Sequence, residues 1–140
     1  MNSKTTVVKK PITTRKWHLI DLSGQNLGRV STKIAQILIG KHNPLFSYHR
    51  DDGDYVVAIN ASKVVVTGNK LNDKIYYHYT GYAGNLRELS LKTLMVKDPR
   101  LVINHAVAGM LPKNRLRDKR LSRLKIFAGS EHPYTDKLNH

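Results

Sequence analysis

A strand, a helix and a second strand follow one another near the N-terminus, and this pattern constrains the fold more than any other feature. Residues 17–22 (WHLIDL) have the composition of a strand, and residues 55–60 (YVVAIN) form a continuous apolar run typical of a strand covered on both faces. Residues 27–39 lie between them and place their apolar side chains within an arc of about 100°: Leu27, Val30, Ile34, Ile37 and Leu38. Gly40 predicts the end of this amphipathic helix. The order predicts a right-handed crossover between parallel strands.

Further strands and turns are predicted by shorter patterns. Residues 64–66 are a short β-branched run, and residues 75–80 (IYYHYT) have the composition of another strand. Residues 81–85 contain the glycines and the asparagine of a turn. A last strand is predicted at residues 125–127.

Capping residues predict the helices of the second half. Ser90 is placed to cap a short helix over residues 91–97. Asp98 followed by Pro99 predicts an N-cap and first helical position, and this helix should extend to about Met110 before Pro112. A basic helix is predicted over residues 114–123.

The connection between residues 40 and 54 shows no hydrophobic period, which is unusual for a segment of this length inside one domain. It contains the charged and stacking side chains Lys41, His42, Tyr48, His49 and Arg50, which suit contact with nucleic acid. We therefore predict a functional or partner-ordered loop.

Positive charge is concentrated in two short segments. Residues 1–16 and 113–125 together hold 12 of the 24 Lys and Arg but only one of the 10 Asp and Glu, which is +11 of the net +14. A nearly neutral body with two basic patches is suited to a dense polyanion, because binding releases condensed counterions. Nucleic acid is the first candidate partner.

The basic segment also bears on which polyanion is bound. Leu116, Leu121 and Leu124 define an apolar arc on the predicted helix, but Arg117 and Arg120 interrupt it. A helix lying on a membrane needs an unbroken apolar face, so RNA is favoured over lipid. The absence of cysteine, of a membrane-length apolar run and of a secretory signal favours a soluble, intracellular protein.

A second prediction for the same helix concerns its exposed face. Arg115, Lys119 and Arg123 are spaced at i, i+4 and i+8, which places them together on a helix surface. We expect this face to lie away from the leucines and to contact RNA.

The turn before the first helix does not match a nucleotide-binding loop. Asn26 and Arg29 occupy positions where the dinucleotide fingerprint requires glycine, so the backbone cannot approach a pyrophosphate closely. Gly40-Lys41-His42 likewise lacks the hydroxyl residue of a phosphate loop. A small nucleotide-using α/β enzyme is therefore the disfavoured alternative, and we expect no cofactor.

Neither the histidines nor the acids form a metal-binding motif in the sequence. The seven histidines are scattered, without the i, i+4 pair of a helical zinc site. Asp51, Asp52 and Asp54 do not alternate as in a calcium loop, and a turn before Tyr55 explains them; magnesium would be expected there only as part of an RNA interface. We predict no metal and no catalytic residue.

Four tyrosines, Tyr76, Tyr77, Tyr79 and Tyr82, form the aromatic cluster of the chain. Aromatic side chains along a strand can stack on unpaired bases. Alternate tyrosines of a strand more often face the core, and this is the favoured interpretation.

An ordered series of short motifs resembles a known family. The series is Leu27-Gly28-Arg29, Gly40-Lys41-His42, Gly53-Asp54-Tyr55-Val56, Asn60-Ala61-Ser62-Lys63-Val64, Thr67-Gly68-Asn69-Lys70, Gly109-Met110-Leu111-Pro112 and Ala128-Gly129-Ser130-Glu131-His132-Pro133. From about Trp17 to Pro133 the chain closely resembles the bacterial-type ribosomal protein L thirteen family. The resemblance implies an α/β fold, a three-layer α/β/α domain with a four-stranded parallel sheet. It also implies binding to large-subunit rRNA early in assembly, without enzymatic activity.

The chain departs from the usual family pattern after Pro112, in residues 82–85 and after Pro133. Asn114-Arg115-Leu116-Arg117-Asp118 and Tyr134-Thr135-Asp136-Lys137 replace the family's common residues there. These changes indicate a divergent lineage, either bacterial or organellar.

These inferences divide the chain into a basic arm (1–16), one rRNA-binding domain (17–133) and a tail (134–140). The expected partners are large-subunit rRNA and neighbouring large-subunit ribosomal proteins, in a cytoplasmic or organellar ribosome, with neither a membrane nor a small-molecule substrate. The predicted RNA-binding residues are Lys9, Lys10, Arg15, Lys16, Arg29, Lys41, His42, His49, Arg50, Lys63, Lys70, Lys113, Arg115, Arg117, Lys119, Arg120, Arg123 and Lys125.

Overall fold

A computed structural model describes residues 14–138 of the chain. The strands are β1 (Trp17–Asp21), β2 (Tyr55–Ile59), β3 (Ile75–Tyr79), β4 (Leu86–Ser90) and β5 (Leu124–Ile126). The helices are α1 (Leu27–Ile39), α2 (Lys70–Asp73), α3 (Leu91–Lys97), α4 (Pro99–Met110), α5 (Arg117–Ser122) and α6 (Thr135–Leu138), with a 3₁₀ turn at Ala61–Lys63.

The central sheet is parallel, with strand order β1-β2-β5. β1 pairs with β2 from Trp17 opposite Tyr55 to Asp21 opposite Ile59. β2 lies in the middle, and its residues 56–58 are completely buried, which accounts for the unbroken apolar run. The predicted parallel pairing of the first two strands is confirmed.

Helix α1 occupies the predicted residues because both of its ends are specified locally. The Asn26 side chain accepts a hydrogen bond from the Gly28 N–H at the start of the helix. Gly40 ends it in the left-handed region, at φ 89°, where glycine is favoured. The face bearing Ile34 and Leu38 is fully buried against the sheet and α4, and each such side chain stabilises the fold by about 1.5–3 kcal/mol relative to exposure.

The two helices that follow β4 also begin at their predicted caps. Ser90 Oγ accepts from the Thr93 N–H at 3.3 Å, and α3 starts at the next residue. Asp98 Oδ1 accepts from the Arg100 N–H at 3.1 Å, with Pro99 in the first turn of α4. These capping predictions are confirmed.

The predicted sheet of four parallel strands is wrong. Only three parallel strands pair in the described chain, and β3 pairs instead with β4 as a separate antiparallel hairpin. Most of residues 75–79 are exposed, unlike a central parallel strand, and the turn over residues 81–85 returns the chain to an adjacent antiparallel partner. The run at residues 64–66 forms one bridge, between Val65 and Asn26, and no strand. The three-layer arrangement stays a prediction.

The described part of the predicted tail packs on the edge of the sheet. Tyr134 stacks on Trp17 with ring centroids 5.1 Å apart, and Trp17 also stacks on Tyr55 at 4.3 Å. Lys137 Nζ lies 5.0 Å above the indole ring, within range of a cation–π contact. Within residues 14–138, none of the helices has the length and apolar character needed to cross a bilayer.

Candidate nucleic-acid interface

The loop over residues 41–54 is bound to the end of α1 by two close backbone approaches. A Cβ on Gly53 would lie 1.8 Å from the Leu38 carbonyl oxygen, and one on Gly40 would lie 2.8 Å from the Asp52 oxygen. Glycine is therefore required where the loop returns to the helix. This contact fixes the position of the acidic residues on either side of Gly53.

Asp51 forms the shortest ion pair of this region, with Arg123. Arg123 donates from Nη1 to Oδ2 at 2.6 Å and from Nη2 to Oδ1 at 2.5 Å, a bidentate arrangement. The Arg123 side chain is only 4% exposed, and its Nη2 also donates to the Leu38 carbonyl at 3.3 Å. A guanidinium paired in this way holds β5 against the end of α1.

Two further arginines contribute to the same buried cluster. Arg120, which is 1% exposed, donates to the Arg50 carbonyl at 3.1 Å, and its Nε lies 3.7 Å from Asp51 Oδ1. Arg50 itself donates to Asp52 Oδ1 at 3.1 Å. We call Asp51, Asp52, Arg50, Arg120 and Arg123 the arginine–aspartate cluster. It joins the loop to α5 and β5.

The arginines control the ionisation of Asp51. Burial raises the pKa of this carboxyl, but the Arg123 hydrogen bonds and the charges of Arg123, Arg15 and Arg120 outweigh burial, so the pKa lies below its ordinary value. Asp51 is therefore ionised in the folded protein at neutral pH.

Asp54 has a second set of hydrogen-bonding partners, different from those of Asp51. Its Oδ1 accepts from the Lys16 N–H at 3.0 Å, while Oδ2 lies 2.9 Å from both His18 Nε2 and His42 Nε2. Burial raises the pKa of Asp54, but the His18 and Lys16 hydrogen bonds and the His42 charge outweigh it and lower the pKa.

A different set of cations lies at the surface. Two clefts of about 580 Å³ each share Lys119 as a lining residue. His49 and Arg115 line one cleft, and Arg15 and Lys125 line the other. We call these five basic side chains the Lys119 surface. His49, Arg115 and Lys119 are exposed and Lys125 is half-buried, so they are accessible to an external anion. Arg15 is exposed as well, but its Nη2 already lies 3.5 Å from Asp51 Oδ2.

The predicted RNA-binding residues thus separate into several groups. Arg120 and Arg123 are buried in the cluster, and Arg50 and Arg117 are partly buried. The expected exposed face of Arg115, Lys119 and Arg123 does not exist, because α5 begins only at Arg117 and Arg123 turns inward. The remaining predicted residues are exposed but do not line either cleft: Lys16, Arg29, Lys41, His42, Lys63, Lys70 and Lys113. Lys9 and Lys10 lie outside the described residues.

The tyrosines of the hairpin divide between the two faces of β3. Tyr76 is half-buried and packs against His105 with ring centroids 5.5 Å apart, and burial raises its pKa. Tyr77 and Tyr79 are 62% and 59% exposed, and Tyr82 in the turn is 76% exposed. The core interpretation therefore fits Tyr76 alone, and the other three rings are accessible.

Three residues with important contacts were not predicted as part of any site. In the sequence, His18 is one of seven scattered histidines, and the spacing of Asp51 and Asp54 predicts only a turn. A signal was present, since three of the 10 acids of this basic chain fall within four residues. Acids concentrated in this way beside arginines and histidines indicate charge pairing as well as a turn.

The fold and the cationic surface define a class of small, basic α/β proteins suited to a polyanionic partner. A family model described as "Ribosomal protein L13" matches residues 15–133. The chain belongs to this ribosomal protein family, as the motif series predicted. Family membership also confirms the prediction of a structural ribosomal protein rather than an enzyme.

Individual bacterial relatives cover nearly the whole chain. "Large ribosomal subunit protein uL13" of Clostridioides difficile (strain 630) is 50% identical over 131 residues, which cover 94% of this chain and 92% of the relative. The proteins of the same name from Thermoanaerobacter sp. (strain X514) and from Vesicomyosocius okutanii are 51% and 52% identical over the same lengths and shares.

Proposed function

We propose that the chain is a structural constituent of the large ribosomal subunit that binds large-subunit rRNA and supports early subunit assembly. Its partners are then this rRNA and the neighbouring ribosomal proteins, in a bacterial cytoplasmic or an organellar ribosome, without a small-molecule substrate. The names of the relatives and the extent of their identity support the assignment.

The Lys119 surface is the structural observation that carries the proposal. Five basic side chains from the N-terminal segment, the loop, the α5 region and β5 border two adjoining clefts. Positive charge gathered at one surface attracts phosphates, and binding of the phosphates releases condensed counterions. Both clefts are open to solvent and bordered by basic side chains, which suits a nucleic-acid backbone better than an enclosed small molecule.

The proposed contacts differ from the sequence-predicted set in one respect. Arg120 and Arg123 are omitted, because their guanidinium groups are buried and already paired. The exposed cations outside the Lys119 surface remain proposed contacts, and so do Lys9 and Lys10, which lie outside the described residues. Recognition is expected to depend on RNA shape and tertiary structure, with cations arranged around the backbone.

The salt dependence of RNA binding tests the proposal. The full chain is titrated with a folded fragment of large-subunit rRNA and with random RNA of equal length across a range of salt concentrations. If about five to eight phosphates are neutralised, log K should fall against log salt with a slope of roughly −4 to −7. The rRNA fragment should bind more tightly at every salt concentration. A slope near zero, or equal affinity for both RNAs, contradicts the proposal.

The nucleotide-enzyme alternative is tested separately. We expect NAD, FAD and ATP to raise the melting temperature no more than inorganic phosphate does, because Asn26 and Arg29 replace fingerprint glycines. Saturable stabilisation well above that of phosphate would favour the alternative.

A further inference from the structure

We propose that His18, His42 and Asp54 form a zinc-binding site. The three residues come from β1, from the loop after α1 and from the residue before β2. His18 and His42 stand 36 and 12 positions from Asp54 in the sequence. One ligand atom from each residue lies within 4.8 Å of the other two. The fold therefore assembles a ligand set that no local spacing predicts.

The carboxylate at the centre of this site is held rigidly. Asp54 is 5% exposed, its backbone N–H donates to the Ile37 carbonyl at 3.3 Å, and its Oδ1 accepts from the Lys16 N–H at 3.0 Å. These bonds leave Oδ2 facing the two imidazoles. Outer contacts of this kind orient the ligands of metal sites in proteins.

Two imidazole nitrogens and one carboxylate oxygen are ligands that zinc prefers. In a tetrahedral site with bonds of about 2.0–2.1 Å, neighbouring ligand atoms lie about 3.3 Å apart. Both Nε2 atoms are 2.9 Å from Oδ2, so each ring must withdraw by about 0.4 Å for a tetrahedral zinc site. The side chains of His18 and His42 are 33% and 42% exposed, which leaves them room for this small movement.

The site also has space for the remaining coordination positions. A cleft of about 390 Å³ opens beside the three ligands and is also lined by Thr14, Lys16, Asn43 and Pro44. Three protein ligands with an open side leave a position for water, as in zinc sites that are not purely structural. The Lys16 ammonium is exposed, so solvent screens its repulsion of a cation.

Hydrogen bonding alone is the competing explanation of this cluster, with both Nε2–H groups donating to Oδ2. The zinc site and the hydrogen-bonded cluster differ in whether the two Nε2 atoms carry protons. Zinc requires each Nε2 to be unprotonated, so zinc competes with protons for both imidazoles and its binding weakens as pH falls, whereas the hydrogen-bonded cluster needs no metal.

Titration of the full-length chain with zinc is the primary test. The protein is prepared without a histidine tag, treated with a chelator and titrated with ZnCl₂ by calorimetry at neutral and at acid pH. We expect one zinc ion per chain with a higher melting temperature, and weaker binding at acid pH. MgCl₂ should give no saturable heat, because magnesium prefers oxygen ligands. Absence of saturable zinc binding, or equal binding of magnesium, overturns the proposal.

Glutamine variants locate the site. His18→Gln and His42→Gln keep an N–H donor but remove the ring nitrogen, and each should weaken zinc binding at least about tenfold, as even outer-shell changes do. His49→Gln, an exposed histidine of the same loop, is the matched control and should change affinity less than about twofold. Equal losses in all three variants, or none in the first two, overturn the assignment.

A spectroscopic measurement on the unaltered chain covers the case in which a variant does not fold. X-ray absorption of the zinc-loaded protein should show nitrogen and oxygen ligands at about 2.0–2.1 Å, with outer-shell scattering from two imidazoles. Scattering without an imidazole contribution contradicts the site.

Discussion

The buried and the exposed cations of residues 113–125 lie in different environments, although they belong to one short stretch of chain. Arg120 and Arg123 are 1% and 4% exposed and join the loop to β5 through Asp51. Arg115 and Lys119 are exposed and border the two clefts of the Lys119 surface. The first pair stabilises the fold, and the second is available to RNA.

This difference shows that a count of basic residues overstates the charge offered to a partner. A guanidinium held in a bidentate pair by a buried carboxylate is already neutralised and desolvated. The acids of the loop therefore compensate part of the charge of the C-terminal segment internally. Only the remainder can release counterions from RNA.

Removing Arg123 should have the largest effect on stability. Arg123→Ala leaves Asp51 partly buried without its bidentate partner, and breaking a buried pair costs about 3–5 kcal/mol of unfolding free energy. We expect a value near the lower end, about 3 kcal/mol, because Asp51 keeps contacts with Arg15 and Arg120. The urea midpoint measures the loss.

The same variant distinguishes scaffold from interface. RNA affinity per folded molecule should stay close to that of the unaltered chain, measured below the urea transition. A variant of normal stability with weakened RNA binding would place Arg123 in the interface and contradict the comparison.

Reversing the charge of Arg115 and Lys119 should weaken RNA binding and leave the stability of the fold almost unchanged. Arg115→Glu together with Lys119→Glu replaces attraction of phosphates by repulsion at both clefts and should weaken RNA binding by about 2–3 kcal/mol. The slope of log K against log salt should become less negative by about two. Stability should change by less than about 0.5 kcal/mol, as for other surface substitutions. Paired measurements of RNA affinity and urea midpoint check both expectations.

A control for net charge sharpens this result. Lys92→Glu with Lys97→Glu makes the same change in total charge on α3, where both side chains are exposed and distant in sequence from the clefts. A similar loss of RNA affinity in this control would show that net charge alone, and no particular surface, drives binding.

Sequence predicted the features that depend on neighbouring residues. Asn26, Gly40, Ser90 and Asp98 specify helix ends within a few residues, so the limits of α1, α3 and α4 followed from local patterns. The pairing of β3 depended on which segment the turn brings alongside, and residues 86–90 carry no clear alternation. A single strand-like pattern does not specify whether its partner is parallel or antiparallel.

The candidate sites were least accessible to sequence reasoning because their contacts are long-range. Asp51 and Arg123 are 72 positions apart, and a helical wheel assigned Arg123 to solvent. The helix is shorter than predicted, so the i, i+4, i+8 relation does not hold beyond Ser122. Charge alone selected exposed and buried cations alike, because it carries no information on which side chains are buried.

Acid should destabilise the fold through Asp51 and Asp54, although it protonates these carboxylates only after exposed carboxylates of ordinary pKa. The pKa of Asp51 and that of Asp54 are both lowered in the folded state, so the unfolded chain binds more protons at low pH. Their stabilisation is complete above the ordinary aspartate pKa of about 3.9 and declines below it, as the pH falls towards the folded-state pKa. Urea midpoints across this range should fall as acid is added.

Comparing the acid dependence of stability in the unaltered chain and in Arg123→Ala measures the part of it that is due to Asp51. Arg123 supplies the largest lowering of the Asp51 pKa, so the variant should lose less stability per pH unit below about pH 3.9. An unchanged acid dependence would mean that Asp51 contributes little and that other carboxylates control the transition.

The smallest effect is expected at a second arginine–aspartate pair of similar geometry. Arg100 donates to Asp98 from Nε at 2.9 Å and from Nη2 at 3.1 Å, but its side chain is 58% exposed. Solvent screens this pair and the long side chain loses entropy in forming it, so Arg100→Ala should leave the urea midpoint unchanged within error. The α4 cap survives in this variant, because Asp98 accepts from the Arg100 backbone N–H. If Arg100→Ala destabilised the protein as much as Arg123→Ala, bidentate geometry rather than burial would determine what an arginine contributes to this fold.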